Sequence, residues 1–149
     1  MGIPQFAQVA EKVASGLKPD LDGLAWLRVN GYQTVLHLRR PGEDDTADRR
    51  QVEKRGMKFI SLEVSPATLS RALLNEFTLA VSNVSSQPVF VYDRDATLAG
   101  NLWYLYFRGI ELASEEESRR KAGRVGLRPE GTPEQKAMWQ AVQQVLAQP

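Results

Sequence analysis

The chain has 149 residues, 25% charged and 42% apolar, with a net charge of +1 and no cysteine; a chain this long buries roughly two-thirds of its unfolded surface, so one domain over residues 1–149 is expected. The missing thiol excludes disulfides, thiolate metal sites and any cysteine nucleophile, and near-neutral charge without a Lys/Arg stripe argues against nucleic acid as the main partner. No 18-residue apolar run or signal-peptide core is visible, so the expectation is no membrane partner and a cytoplasmic location, with a leader or fused domain upstream of "MGIPQF" left open.

From Phe6 to Ser15 the chain reads as a short extended start. "PDLDGLAWLRVNG" then reads as a helix: Asp20 caps it, Leu21, Leu24 and Leu27 share a face, and Gly31 ends it. "TVLHLRR" is β-branched and apolar over strand length, and the polar turn "PGEDD" leads to a helix from about Thr46 to Arg55, closed by Gly56. "KFISLEV" is the next strand. A helix is predicted to open at Ser65-Pro66, a cap followed by proline, and to carry Leu69, Leu73, Phe77, Ala80 and Val81 at helical spacing. After "SSQ" comes a strand from Pro88 to Tyr92.

From Thr97 a helix begins that is apolar nearly all round, with Leu98, Ala99, Leu102, Trp103, Leu105, Tyr106 and Phe107, and such a helix belongs in the centre of a core. Trp103, Tyr104, Tyr106 and Phe107 are accordingly read as core aromatics. Two amphipathic helices follow, separated by the loop "GLRPEG". Ser114 with Glu117, and Thr132-Pro133 with Gln135, both fit the capping box. The acidic run Glu115 to Glu117 suits the positive end of a helix and needs no further role. Strands alternating with helices imply an α/β fold, a small mainly parallel sheet with right-handed crossovers and helices on both faces. In that architecture ligands bind outside the carboxyl ends of the strands.

"PVFVYDRDATLAGNLWYLYFR", Pro88 to Arg108, lies at such an end. The N–H groups that open the helix at Thr97 are unpaired within it and carry the positive end of its dipole, which makes the loop an anion site in form. Ala96, Ala99 and Gly100 are small enough for the backbone to curl around a ligand. The candidate ligand contacts are therefore Arg94, Ala96, Thr97, Leu98, Ala99 and Gly100, with Arg39 from the strand "TVLHLRR". Asp93 and Asp95 are the candidate chemical groups.

Four segments, "GIPQFAQVAEKVASGLKP", "GYQTVLHLRRPGEDD", "GMKFISLEV" and "PVFVYDRDATLAGNLWYLYFRG", together cover most of the chain. In order and spacing they resemble the bacterial dual-specificity/tyrosine phosphatase-like domains, including the domain fused to NAD kinase and the beta-lactamase-hydrolase-like phosphatases. The resemblance implies a phosphatase-like fold with a phosphate loop. That family opens the loop with His-Cys, where cysteine attacks phosphorus, and closes it with a phosphate-clamping arginine. By that correspondence Tyr92 stands at the His position, Asp93 at the Cys position, and Leu98 or Ala99 at the clamp. Glu63 is the nearest match to the general acid.

The departures imply a degenerate phosphatase-like domain without cysteine-dependent activity. Two like charges about 4 Å apart cost on the order of 1 to 4 kcal/mol, whereas each aspartate can cap free helix N–H groups for about 1 kcal/mol. The expected ligand at residues 93–100 is phosphorylated, a small molecule or a protein, or else cationic, and no cofactor is expected. "FVYDRDATL" also resembles the first motif of the haloacid-dehalogenase superfamily. That likeness implies Asp93 as nucleophile, Asp95 as acid/base, Thr97 fixing the loop, and Mg²⁺ offsetting the charge. The residues after Thr97 read as helix and leave no strand for that superfamily's later motifs. A plain protein interaction module is the third reading. His37, alone on a buried strand, is read as a packed or hydrogen-bonded core histidine. Arg39 is placed to pair with Asp93 or Asp95, or with Glu43 to Asp45, and Arg94 is expected to face solvent. Without paired His or Cys, a zinc or copper site is not expected, and oligomeric state is not fixed.

Overall fold

The structure, a computed structural model, describes residues 1–148. Five strands form one sheet: β1 (Ala7–Ala10), β2 (Val13–Gly16), β3 (Thr34–Arg39), β4 (Lys58–Glu63) and β5 (Val89–Tyr92). Their order is β1-β2-β5-β3-β4, with β2, β5, β3 and β4 parallel and β1 antiparallel at one edge. The single extended start of the sequence is thus two strands folded back on each other, which adds the antiparallel edge to the mainly parallel sheet. Six helices flank it: α1 (Leu21–Val29), α2 (Thr46–Lys54), α3 (Arg71–Ser82), α4 (Thr97–Gly109), α5 (Glu115–Gly123) and α6 (Pro133–Ala147).

Alternation along the strands builds two cores. Leu36, Leu38, Val89 and Val91 pack with Phe77 of α3, Leu102 and Trp103 of α4 and Val142 of α6. Val35, Phe59, Phe90 and Tyr92 point the other way, onto Leu24 and Leu27 of α1 and Val52 of α2. As its all-round apolar sequence requires, α4 lies in the centre of the first core: Leu98, Leu102 and Leu105 are fully buried, each worth about 1.5 to 3 kcal/mol.

The caps set most helix starts. Asp20 Oδ1 accepts the Gly23 N–H at 2.7 Å, Ser114 Oγ accepts from Glu117 N at 3.1 Å, and Thr132 and Gln135 satisfy each other's N–H groups at 2.9 and 3.2 Å. The helix expected from Ser65 instead begins at Arg71. The Ser65 and Thr68 hydroxyls bond each other and each accepts the other's backbone N–H in a closed turn, a local alternative to helix. Ser70 then supplies the cap, its Oγ accepting the Leu73 N–H at 3.1 Å.

Candidate functional site

β5 ends at Tyr92, the chain turns through residues 93–96, and α4 begins at Thr97. Ala96 makes that turn with φ +69°, a left-handed conformation at the helix cap. Its Cβ sits against Gly126, where an added Cβ would lie 2.4 Å from it and where φ is itself +111°. The loop is therefore braced by the connection between α5 and α6. Gly100 serves the same packing, since a Cβ there would lie 2.3 Å from the Leu127 nitrogen. Its small size receives a neighbouring backbone.

Asp93 occupies the mouth of the helix. It is 0% exposed, and its two oxygens accept the Leu98 N–H at 3.1 Å and the Ala99 N–H at 3.3 Å. Asp95 Oδ1 accepts the Thr97 N–H at 3.0 Å. Three of the helix-opening donors are thereby bound by the chain's own carboxylates. Arg94 is exposed.

The guanidinium beside the two aspartates belongs to Arg40. Its Nη2 lies 2.8 Å from Asp95 Oδ1 and its Nη1 3.7 Å from Asp93 Oδ2. Glu134, in the first turn of α6, takes the rest of the fork, with Oε2 accepting from Nε at 2.6 Å and Oε1 from Nη2 at 2.8 Å. The Arg40 side chain is 9% exposed, and its Nη1 is buried with no hydrogen-bond partner. Arg39, expected to pair with the loop aspartates or with Glu43 to Asp45, turns to the other face and to other partners: its Nε donates to Ser61 Oγ at 3.1 Å and its Nη1 lies 3.5 Å from Glu63. The reason is strand parity, because Arg39 continues the row of Val35 and His37 while Arg40 falls on the side of α4 and α6. Glu63, the nearest match to a general acid, is engaged there with Arg39.

These contacts set the titration of the site. Burial pushes the Asp93 carboxyl up to about 6, against the opposing pull of the Leu98 N–H and the Arg40 charge. Burial acts in the same sense on half-exposed Asp95, but the Thr97 and Arg40 contacts outweigh it and hold that group below the usual carboxylate range. Burial alone would weaken the Arg40 charge; Glu134 and Asp95 keep it protonated. The two aspartates have thus separated, one held ionised and one resisting ionisation.

On the opposite face His37, 5% exposed, places Nδ1 2.8 Å from Asp45 Oδ2, and Ser61 Oγ donates to the same oxygen at 2.5 Å. The His37 ring stacks on Tyr92 at 4.6 Å, and the Tyr92 hydroxyl donates to Asp48 Oδ2 at 2.8 Å. His37 is thus a hydrogen-bonded core residue, and Asp45 and Asp48 tie α2 to the strand ends. Sequence reasoning missed Glu134 and gave Arg40 no partner. Arg40 was findable from the alternation of β3; Glu134 carried no signal beyond its place in a first helical turn, 94 residues away.

No protein-family model matches the chain, and no curated protein matches it in sequence. Solved structures do match in shape. The core catalytic domain of the PP-IP phosphatase Siw14 from S. cerevisiae, in complex with citrate, superposes with a TM-score of 0.74 at 17% identity, covering 93% of this chain and 85% of that one. A DUF442 candidate phosphatase from Shewanella putrefaciens CN-32 gives 0.70 at 18% identity over 96% and 93% of the two chains. P. aeruginosa TpbA in complex with pTyr gives 0.72 at 12% identity over 97% and 91%. With its parallel sheet, flanking helices and strand-loop-helix turn at the carboxyl edge, the chain has the fold of the dual-specificity and tyrosine phosphatases.

Proposed function

We propose that the chain is a phosphatase-fold domain without phosphoryl-transfer activity, its anion hole filled by its own Asp93. One observation carries this reading: the fully buried Asp93 carboxylate takes the Leu98 and Ala99 N–H groups that a phosphate at this loop would need. The chain contains no cysteine for thiol attack. Three carboxylates, Asp93, Asp95 and Glu134, surround the one guanidinium. The pTyr and citrate held by two of the fold neighbours are anions, and at this loop either would meet those carboxylates. A phosphorylated ligand has to displace Asp93 from the amides and Glu134 from Arg40.

Aspartate-based, Mg²⁺-dependent hydrolysis is the competing chemistry. It requires Asp93 to leave its helix donors and reach solvent, and among the described residues no group of three or more His, Cys, Asp or Glu is placed to hold a metal ion. Hydrolysis of a generic aryl phosphate, with and without Mg²⁺, separates the readings. The expected result is no turnover above buffer in either condition, and no rise in Tm with inorganic phosphate or sulfate. Metal-dependent turnover that Asp93→Asn abolishes overturns the reading.

A further inference from the structure

On the face of the sheet away from the Asp93 loop, a cavity of about 340 Å³ lies between α1 and α2. It has the space of roughly ten waters at about 30 Å³ each, enough for a ring and a short tail. Leu24 and Val52, 6% and 2% exposed, form its apolar wall. Three of its polar groups are linked to one another. Tyr92, 3% exposed, donates its hydroxyl to Asp48 Oδ2 and so fixes that carboxylate. Lys18 Nζ lies 3.0 Å from Asp48 Oδ1, and Asp20, whose Oδ1 caps α1, also lines the cavity. An apolar cavity with a few linked polar groups has the form of a small-molecule site.

Charge decides what enters. Lys18 contributes one positive charge and Asp20 and Asp48 two negative ones, so a carboxylate meets a net negative lining and an ammonium is drawn to it. Lys18 is a weak competitor for that carboxylate: its side chain is 64% exposed, and exposed ion pairs hold weakly. We propose that this cavity binds a small organic cation, a primary amine with a compact aromatic or branched aliphatic body. Its ammonium replaces Lys18 on Asp48, and its body lies on Leu24 and Val52. Tyr92 lines this site from the α1 and α2 face, next in the chain to Asp93, and the proposal stands whether or not the loop is catalytic.

The test is an NMR titration of the whole chain with phenethylamine, phenylacetate and 2-phenylethanol, three probes of similar size and different charge. Phenethylamine is expected to shift the amides of residues 18–24 and 47–52 and to bind at least about tenfold more tightly than phenylacetate, the scale of one charge-assisted hydrogen bond. Asp48→Asn is expected to weaken the amine about tenfold and to leave 2-phenylethanol unchanged, with its amide spectrum checking the fold. Lys18→Ala, at an exposed position that leaves the core intact, should tighten the amine by removing a competing cation. Asp93→Asn should change nothing at this site. The absence of localised shifts, phenylacetate binding as well as the amine, or an affinity indifferent to Asp48→Asn overturns the proposal.

Discussion

Melting the protein between about pH 4.5 and pH 7, beside the variant Asp93→Asn, tests the electrostatics of the loop. Asp93 is 0% exposed, and burial displaces its carboxyl from the ordinary 3.8 to about 6 despite the Leu98 and Ala99 N–H groups and the Arg40 charge. Between those two values the folded state keeps a proton that the unfolded chain has lost, so unfolding releases protons and stability falls as pH rises. The contribution is present in full below the unfolded value and is lost as pH climbs through the folded one. A displacement of this size corresponds to about 3 kcal/mol, of which about 2 kcal/mol disappears across the window. For a chain of this length that is about 4 to 8 °C in Tm. Asp44, Asp45 and Asp95 are held low and act in the opposite sense; their stabilisation is lost only as pH falls below the ordinary carboxylate value. Asparagine keeps the shape of Asp93 without its titration, so the wild-type curve minus the variant curve isolates this one group. A difference curve that is flat across the window, or that rises with pH, refutes the reasoning.

Two further substitutions address the ion cluster. Asp95→Asn weakens a half-exposed carboxylate bound to Arg40 and to the Thr97 N–H, and denaturant melts should record a loss of about 1 kcal/mol. Arg40→Met leaves Asp93 and Glu134 without their cation and should cost about 3 to 5 kcal/mol. Arg40→Lys should not restore that loss, because an ammonium cannot reproduce the forked pairing with Glu134, and adding Glu134→Gln to Arg40→Met should recover part of it in a double-mutant cycle. Full rescue by lysine would mean that point charge alone holds the cluster.

Much of the fold is legible in the sequence because its signals are local. Asp20 caps α1 through a residue three positions on, and Thr132 and Gln135 close a reciprocal box within one turn. The run from Leu98 to Phe107 announces a central helix by having no polar face. What misleads is competition between equally local devices. Ser65-Pro66 has the residues of a helix start, yet Ser65 and Thr68 satisfy each other in a turn and leave the cap to Ser70. The hairpin of β1 and β2 is set by pairing with β5, in which Val13 aligns with Val89 and Gly16 with Tyr92, and no local pattern encodes that partner.

The site divides in the same way, and the division bears on what the loop can do. That Asp93 and Asp95 can satisfy helix N–H groups follows from their spacing before Thr97. Which cation meets them depends on strand parity, and a one-residue difference on a strand reverses the face: Arg39 goes to Ser61 and Glu63, Arg40 to the loop. The third carboxylate, Glu134, arrives from the far end of the chain, where its sequence shows only a well-capped helix. With three carboxylates on one guanidinium, an added dianion brings repulsion that this single arginine does not offset. The two amides beyond Thr97 that would hold such a dianion already hold Asp93. Asp93, the innermost of the three and wholly buried, is the carboxylate pushed up to about 6. The loop keeps the backbone of an anion site, with Asp93 on two of its amides, Asp95 on a third, and Asp95 and Glu134 on an Arg40 fork whose Nη1 is left without a hydrogen bond; on the proposed reading an entering anion first displaces those carboxylates.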